Sequence, residues 1–134
     1  MYLLDTNALS ELIKKRPQPQ FLSRLRQYPV EAFYTSSICV MELRHGSSRR
    51  PDREAFWARI EDEILSRVLI LHMGIQEAMF AGDVLAYLSR RGEPIGIEDV
   101  LIGSTALAHD FTVVTANVRH FQRIPNLRVE NWLI

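Results

Sequence analysis

The sequence predicts an α/β protein in which helices cover both faces of a central, mostly parallel, twisted sheet. Short runs rich in aliphatic and β-branched residues alternate along the chain with longer segments of helical period. Such alternation requires crossover connections between parallel strands. Proline and glycine fall between the predicted elements, as at Pro17, Pro29, Pro51 and Gly92, which supports these boundaries.

The predicted elements follow one another in a regular order. Strands are expected at 2–4, 33–35, 68–71, 112–115 and 128–129. Helices are expected near 7–15, 18–28, 38–48, 52–66, 75–91 and 98–110, with a short helix after Asn117. An α/β sheet of this kind binds ligands beyond the carboxyl ends of its strands. Polar residues that directly follow a strand are therefore the first candidates for a functional site.

Length and composition predict one domain over residues 1–134. The chain is 47% hydrophobic and 24% charged, and a second domain would be undersized. The N-terminus reaches Asp5 without a basic leader and a long apolar stretch, so we expect no signal peptide. No apolar run approaches the roughly 20 residues of a membrane helix. These features predict a cytoplasmic protein that does not associate with a membrane.

The charge pattern leaves nucleic-acid binding open. Net charge is zero, but phosphate binding depends on whether basic residues cluster on one face. Arginines occur in local groups such as Arg49, Arg50 and Arg53. Each group fits a phosphate site and fits equally a solvated helix face or half of an ion pair.

Asp5 comes directly after the first strand and is followed by two small hydrogen-bonding residues, Thr6 and Asn7. A carboxylate at a strand's carboxyl end is well placed to bind a metal ion. Asp and Asn also commonly cap the helix that follows, here from Ala8. For the tripeptide alone, the cap is the stronger interpretation.

Glu42 lies in a segment, 38–43, that is otherwise entirely apolar. Helical geometry leaves such a carboxylate little exposed surface, so we expect it to be partly desolvated. A desolvated carboxylate needs a cation, a metal ion or several hydrogen-bond donors. An arginine of another helix could equally fill that need.

Asp99 and its neighbour Glu98 begin a helix so apolar that we expect it to be packed on most sides. Two acids in a first turn can simply complement the helix dipole, and nothing local indicates which of them faces a site. The strand after this helix leads to Thr115, Asn117 and His120 at its carboxyl end. A lone histidine such as His120 is more often a surface or packing residue than a catalyst.

Together these residues predict a cluster of acids at the carboxyl edge of the sheet, which a hard divalent cation would stabilise. The single cysteine, Cys39, lies in an apolar run and is expected to be buried, so no thiol pair is present for zinc. Oxygen ligands favour Mg²⁺, with Mn²⁺ as the substitute. Such an ion activates water and stabilises charge on a phosphodiester, so phosphodiester hydrolysis is the expected reaction.

Four segments in order resemble the PIN domain, and specifically the VapC toxins of type II toxin–antitoxin pairs. These are LLDTNALSELIKK, TSSICVMELRHG with Glu42, GIEDVLIGSTALAHD with Asp99, and TVVTANVRHF. The resemblance spans essentially the whole chain. It implies a three-layer α/β/α fold, Mg²⁺, cleavage of RNA, a homodimer and inhibition by a cognate VapB-like antitoxin. It also favours Asp99 over Glu98, because the family pattern places its acid three residues after a glycine, here Gly96.

The resemblance implies a metal site of Asp5, Asp99 and Glu42, with Asn117 as a further catalytic residue. One Mg²⁺ is expected to be held chiefly by Asp5 and Asp99, while Glu42 and Asn117 contribute directly or through water. The sequence departs from the family pattern at His120, where many relatives have an acid. A histidine reduces the negative charge of the cluster and so disfavours a second metal ion, but the sequence leaves open whether one or two ions bind.

Other classes fit the sequence less well. Haloacid-dehalogenase phosphotransferases have a second aspartate two residues after the first, where this chain has Asn7, and a phosphoreceiver domain needs a late lysine, whereas no lysine follows Lys15. The serious alternative is a PIN-like domain with a weakened metal site that only binds RNA or a partner protein. The RNA target and the identity of the antitoxin do not follow from the sequence.

Overall fold

The computed structural model describes all residues from 1 to 134 and contains five strands and seven α-helices. The strands are β1 (Tyr2–Leu4), β2 (Phe33–Ser36), β3 (Leu69–Leu71), β4 (Thr112–Val114) and β5 (Val129–Glu130). The helices are α1 (Thr6–Glu11), α2 (Pro19–Arg26), α3 (Ser37–Ser48), α4 (Arg53–Glu63), α5 (Ile75–Arg91), α6 (Ile97–His109) and α7 (Val118–Phe121). Two short 3₁₀ turns, Val30–Ala32 and Leu65–Arg67, precede β2 and β3.

The five strands form one parallel sheet in the order β3-β2-β1-β4-β5. Strand β1 lies in the centre, where Leu3 pairs with Tyr34 of β2 and with Val113 of β4. Successive strand residues point to opposite faces of a sheet. Because Leu3 and Leu4 are both buried, as are Val113 and Val114, both faces of the sheet are covered. This confirms the predicted α/β/α arrangement around a parallel sheet.

Helix α6 is the most deeply packed helix, as predicted from its apolar sequence. Val100, Ile102 and Ala106 are essentially inaccessible to solvent. Gly103 permits a close approach to the segment after α7, because a Cβ at this position would collide with Ile124 Cδ1. The beginning of α6 is thereby held beside α7, which carries His120.

Several element boundaries differ from the prediction. Helix α1 ends at Glu11 instead of continuing to residue 15, because the chain tightens into i→i−3 hydrogen bonds from Ile13 to Ser10 and from Lys14 to Glu11. Helix α4 likewise stops at Glu63 and continues as a 3₁₀ turn, and the last strand is shifted by one residue. Cys39 is buried as expected, and its desolvation raises the pKa of the thiol. No helix is long and apolar enough to cross a membrane.

Candidate active site

The predicted polar residues meet at the carboxyl edge of the sheet. Asp5 directly follows β1 and Thr115 directly follows β4, and these two strands are neighbours. The backbone N–H of Asp5 donates to the carbonyl of Val114 at 3.1 Å, which continues the pairing of β1 and β4 by one residue. The parallel register therefore places Asp5 and Thr115 side by side.

Asp5 is both the cap of a helix and a buried member of the acidic cluster. Its Oδ1 accepts from the backbone N–H of Ala8 at 3.2 Å and so caps α1, as the local sequence predicted. Its Oδ2 accepts from the Thr115 hydroxyl at 2.5 Å and from Asn7 Nδ2 at 3.3 Å. The residue is only 4% exposed. Capping and a role in the site are thus compatible.

The surroundings of Asp5 disfavour its charged form. Burial raises the pKa of its carboxyl from the usual 3.8 to about 6, and the negative charges of Asp99 and Glu42 add to this rise. The hydrogen bonds from Thr115 and Ala8 act in the opposite direction but do not cancel it. The two other predicted acids therefore lie close enough to Asp5 to repel its charge.

Glu42 lies on α3, which the side chain of Ser36 caps by accepting from the backbone N–H of Cys39. Its Oε1 accepts from the Thr6 hydroxyl at 2.5 Å, and the side chain is partly buried, as predicted. No arginine pairs with it. The expectation that α3 has hardly any exposed face here was wrong, because Met41 beside it is 50% exposed. A helix at the rim of the sheet exposes apolar residues that periodicity alone assigns to a core.

Asp99 lies in the first turn of α6 and faces α7. Its Oδ2 accepts from Asn117 Nδ2 at 3.2 Å and lies 3.3 Å from His120 Nδ1. His120 Nδ1 is also 2.9 Å from Asn117 Nδ2. The structure therefore brings Asp99, Asn117 and His120 into one hydrogen-bonded group.

Glu98 and Thr115 are two residues that sequence reasoning left without a role in the site. Glu98 lines a surface cavity of about 300 Å³ together with Glu42 and His45, so it also faces the acidic region. The Thr115 hydroxyl donates to Asp5 and accepts from the backbone N–H of Asn117 at 2.8 Å, which links two predicted site residues. The only signals in the sequence were the adjacency of Glu98 to Asp99 and the position of Thr115 directly after a strand.

The donor set of the cluster fits a hard cation. No lysine or arginine pairs with Asp5, Glu42 or Asp99, so their negative charge is not compensated by a permanent cation. One oxygen each of Glu42 and Asp99, Oε2 and Oδ1, accepts no hydrogen bond from the protein. As the side chains stand, however, no three acidic, histidine or cysteine residues converge on one point as a ready metal site.

The fold and this acidic edge define the class of protein. The family model described as "PIN domain" matches residues 2–127, and the chain therefore belongs to the PIN-domain family. A protein named Ribonuclease VapC2 from Haemophilus influenzae is 39% identical over 132 residues, covering 98% of both chains. A Salmonella typhimurium protein named tRNA(fMet)-specific endonuclease VapC is 34% identical, over 98% of this chain and 97% of the other.

The solved structures agree with these relatives. A chain in a crystal structure of DNA-bound VapBC from Salmonella typhimurium superposes with a TM-score of 0.89 at 35% identity, over 98% of this chain and 97% of that one. Within the PIN-domain family, the chain groups with the VapC proteins.

Proposed function

We propose that the chain is an Mg²⁺-dependent endoribonuclease that hydrolyses RNA phosphodiester bonds at its acidic cluster, and that it is the toxin of a toxin–antitoxin pair. One observation of the molecule carries this proposal. Asp5 is a buried carboxylate whose pKa is raised to about 6 and which has two further acids, but no permanent cation, beside it. An arrangement that stores uncompensated negative charge at the end of a sheet is suited to a divalent cation. The names of its VapC relatives support RNA as the substrate.

Asp5 and Asp99 would hold the ion, with Glu42 and Asn117 contributing directly or through water. When bound, Mg²⁺ supplies a Lewis acid for the phosphodiester and a water of lowered pKa; Mn²⁺ has similar ligand preferences. Asn117 keeps the Asp99 carboxylate in place through its amide. Thr115 holds Asp5 by donating to one carboxylate oxygen, which leaves lone pairs on the other for a cation.

Cleavage of a mixed cellular RNA pool tests the proposal. Purified antitoxin-free protein is incubated with the RNA in Mg²⁺ and in EDTA, beside the variants Asp99→Asn and Asp83→Asn, the second of which changes an exposed acid of α5. We expect cleavage only with Mg²⁺, its loss in Asp99→Asn and its retention in Asp83→Asn. Cleavage that persists in EDTA or in Asp99→Asn would contradict the metal site.

A non-catalytic role is the second candidate, and the position of His120 favours it. His120 Nδ1 lies beside both Asp99 and Asn117. Many relatives have an acid at this position, whereas a histidine adds no negative charge to the cluster. A weakened metal site would leave a domain that binds RNA or a protein without cutting. Folded protein that binds RNA but does not cleave it at any Mg²⁺ concentration, and gains cleavage as His120→Asp, would establish this alternative.

A VapB-like antitoxin is the proposed inhibitor. The resemblance to VapC toxins supports such a partner, and the similar chain from Salmonella typhimurium belongs to a structure of DNA-bound VapBC. No arginine or lysine of this chain pairs with Asp5, Glu42 or Asp99, so a basic side chain of the antitoxin would complement their charge. A complex in which every arginine and lysine of the antitoxin stays remote from Asp5 and Asp99 would refute this.

A homodimer is the proposed assembly. Ile75 and Met79, one turn apart on α5, are 81% and 67% exposed, and Leu69 on the edge strand β3 is 55% exposed. Exposed apolar side chains of this size support an interface between two copies. Light scattering of the purified chain should give twice the mass of 15.5 kDa, and the variant Met79→Lys should give the monomer.

A further inference from the structure

We infer that the arginine corner, defined as Arg44, Arg49, Arg50 and Arg53, binds the phosphate backbone of single-stranded RNA beside the acidic cluster. The corner comprises the end of α3, the turn after it and the first residue of α4. This rests on the proposed function: the arginine corner would hold the RNA next to the phosphodiester bond that is cleaved.

Charge at the corner is concentrated and largely unpaired. Residues 44–53 contain four arginines and a single acid, Asp52, in a chain whose net charge is zero. All four arginines are exposed. Arg44, Arg49 and Arg53 form no salt bridge, and Arg50 pairs only with Asp52 of the same corner; unpaired arginines elsewhere, such as Arg26 and Arg90, are not grouped in this way. A local excess of positive charge on one surface is what phosphate binding requires.

Aromatic side chains hold two of these arginines in place. The guanidinium of Arg44 lies 4.8 Å from the ring centroid of Trp57, and that of Arg50 lies 3.8 Å from the ring centroid of Phe56. Stacking of this kind restricts the guanidinium while leaving its N–H groups at the edge free to donate. Both aromatic residues are on α4, so α4 orients the donors that α3 and the turn supply.

Arg50 shows how a phosphate would be bound. It donates from Nε and from a terminal nitrogen to the two oxygens of Asp52, at 2.8 Å and 3.0 Å. Two oxygens of a phosphate offer the same fork-like geometry. Because this ion pair is exposed to solvent, a phosphate can replace Asp52 with little desolvation.

A groove connects the corner to the acidic cluster. It has a volume of about 330 Å³ and lies between α1, α3 and α4; its lining includes Thr6 and Glu42 of the site as well as Arg50 and Phe56. A smaller polar recess of about 120 Å³ adjoins it through Ser47 and contains Arg44, Arg53 and one acid, Glu54. A strand whose scissile phosphate lies at the acidic cluster can thus place its neighbouring phosphates at the arginine corner.

The groove also has apolar residues at its base. Ile13 and Phe56 are partly exposed in its lining, and Leu43 and Ile60 are buried beneath them. Single-stranded RNA presents the matching chemistry, since unstacked bases lie against apolar or guanidinium surfaces while phosphates bind arginines. This combination favours RNA over a purely anionic peptide as the occupant.

Salt-dependent RNA binding tests the inference without relying on cleavage. The probe is a fluorescein-labelled, mixed-sequence RNA of twelve nucleotides, and the protein is the full chain with Asp5→Asn so that the RNA stays intact. Fluorescence anisotropy is measured for this parent and for R44Q/R53Q at several salt concentrations. The matched control is R26Q/R90Q, which removes the same charge from two exposed arginines outside the groove that form no salt bridge.

Loss of two phosphate contacts should lower the slope of log affinity against log salt concentration by about 1.4, at about 0.7 for each contact on a single strand. The control pair should leave the slope unchanged, and R44K/R53K should retain most of it. Equal slopes for all proteins, or equal losses in R44Q/R53Q and R26Q/R90Q, would overturn the inference. If R44Q/R53Q binds RNA as the parent does but no longer binds the antitoxin, the inference is also overturned, because the corner then binds a protein partner. A parent that binds no RNA would contradict the proposed function as well.

Discussion

The two ends of helix α1 carry two carboxylates that have little contact with solvent but whose pKa values shift in opposite directions. Asp5 before the helix is 4% exposed, and Glu11 at its end is 3% exposed. Burial acts to raise the pKa of Glu11 too, but hydrogen bonds from Lys14 and from the backbone N–H of Gln18 outweigh it and lower that pKa. At Asp5 the corresponding donors are too weak, and the pKa rises to about 6.

The difference lies in both the depth and the partners of the two carboxylates: Asp5 lies deep in the fold, whereas Glu11 is shielded from solvent but lies near the surface. Glu11 pairs with Lys14 at 2.8 Å and accepts from the N–H of Gln18 at 2.8 Å, so its charge is satisfied within the fold. Asp5 has only hydroxyl and amide donors and two repelling acids. A buried carboxylate without a cation costs stability, and a fold that retains one has a use for it at that place. We therefore propose that Glu11 is structural and that Asp5 is the functional carboxylate.

The rate of RNA cleavage should show the largest difference between variants of Asp5 and of Glu11. Outer partners of a metal site are typically worth 10–100-fold, so loss of a ligand in Asp5→Asn should lower the rate of Mg²⁺-dependent cleavage by more than about 100-fold. Glu11→Gln should keep the rate within about twofold, because Glu11 does not belong to the site. Initial rates on one RNA substrate measure both. Similar losses in the two variants would remove the distinction.

The pH dependence of the unfolding free energy should show the second-largest difference between Asp5 and Glu11. The pKa of Asp5 in the fold is above its usual 3.8, so the folded state binds this proton more tightly, and the resulting stabilisation is present below pH 4 and lost as pH rises through 6. Relative to Asp5→Asn, the metal-free protein should therefore lose about 2 kcal/mol of unfolding free energy between pH 4 and pH 7.5. Urea unfolding in EDTA measures this difference.

On the proposed function, Mg²⁺ should offset this loss of stability. Added Mg²⁺ should bind the ionised carboxylate and stabilise the unmodified protein at pH 7.5 but not Asp5→Asn. If, in EDTA, the difference in unfolding free energy between the unmodified protein and Asp5→Asn stays constant with pH, Asp5 has an ordinary pKa.

Glu11→Gln should act on stability instead of activity. It removes the pair with Lys14 and weakens the acceptor for Gln18, so we expect a loss of about 1–3 kcal/mol in the free energy of unfolding near pH 7. Urea unfolding at neutral pH measures it. Lys14→Met, which removes the partner and leaves the charge buried, serves as the companion variant and should destabilise as well. An unchanged unfolding midpoint in both would show that Glu11 is not stabilised by these partners.

Thr115→Val should lower cleavage less than Asp5→Asn does. The exchange preserves the shape of the side chain and deletes the hydroxyl that donates to Asp5 and accepts from Asn117. The loss of this orienting contact should lower Mg²⁺ affinity and cleavage by about 10-fold, within the range for outer partners of a metal site. Thr115→Ser, which keeps the hydroxyl, should restore most of both. A Thr115→Val protein with full Mg²⁺ affinity would show that the hydroxyl does not orient Asp5.

Local signals predicted the parallel sheet and the order of its elements along the chain, and they singled out Asp5 after a strand and Glu42 in an apolar helix. The choice of Asp99 over Glu98 and the role of Asn117 came from the family resemblance, because nothing local distinguished them. The hydrogen bond from Thr115 to Asp5 could not be predicted from local signals, since it joins residues far apart in the chain. The early end of α1 was missed because helical periodicity does not show where the hydrogen bonds tighten to i→i−3. The exposed face of α3 was missed for the same reason, because periodicity does not tell how many neighbours a helix has.

Titration of Mg²⁺ into the metal-free protein by calorimetry measures whether Asp5 binds the ion. We expect the unmodified protein and Glu11→Gln to bind Mg²⁺ with the same affinity and Asp5→Asn to bind it more than about 100-fold more weakly, beyond the 10–100-fold range for an outer partner. Equal Mg²⁺ affinity in all three proteins would contradict the assignment of Asp5 as a metal ligand and, with it, the proposed chemistry of the acidic cluster.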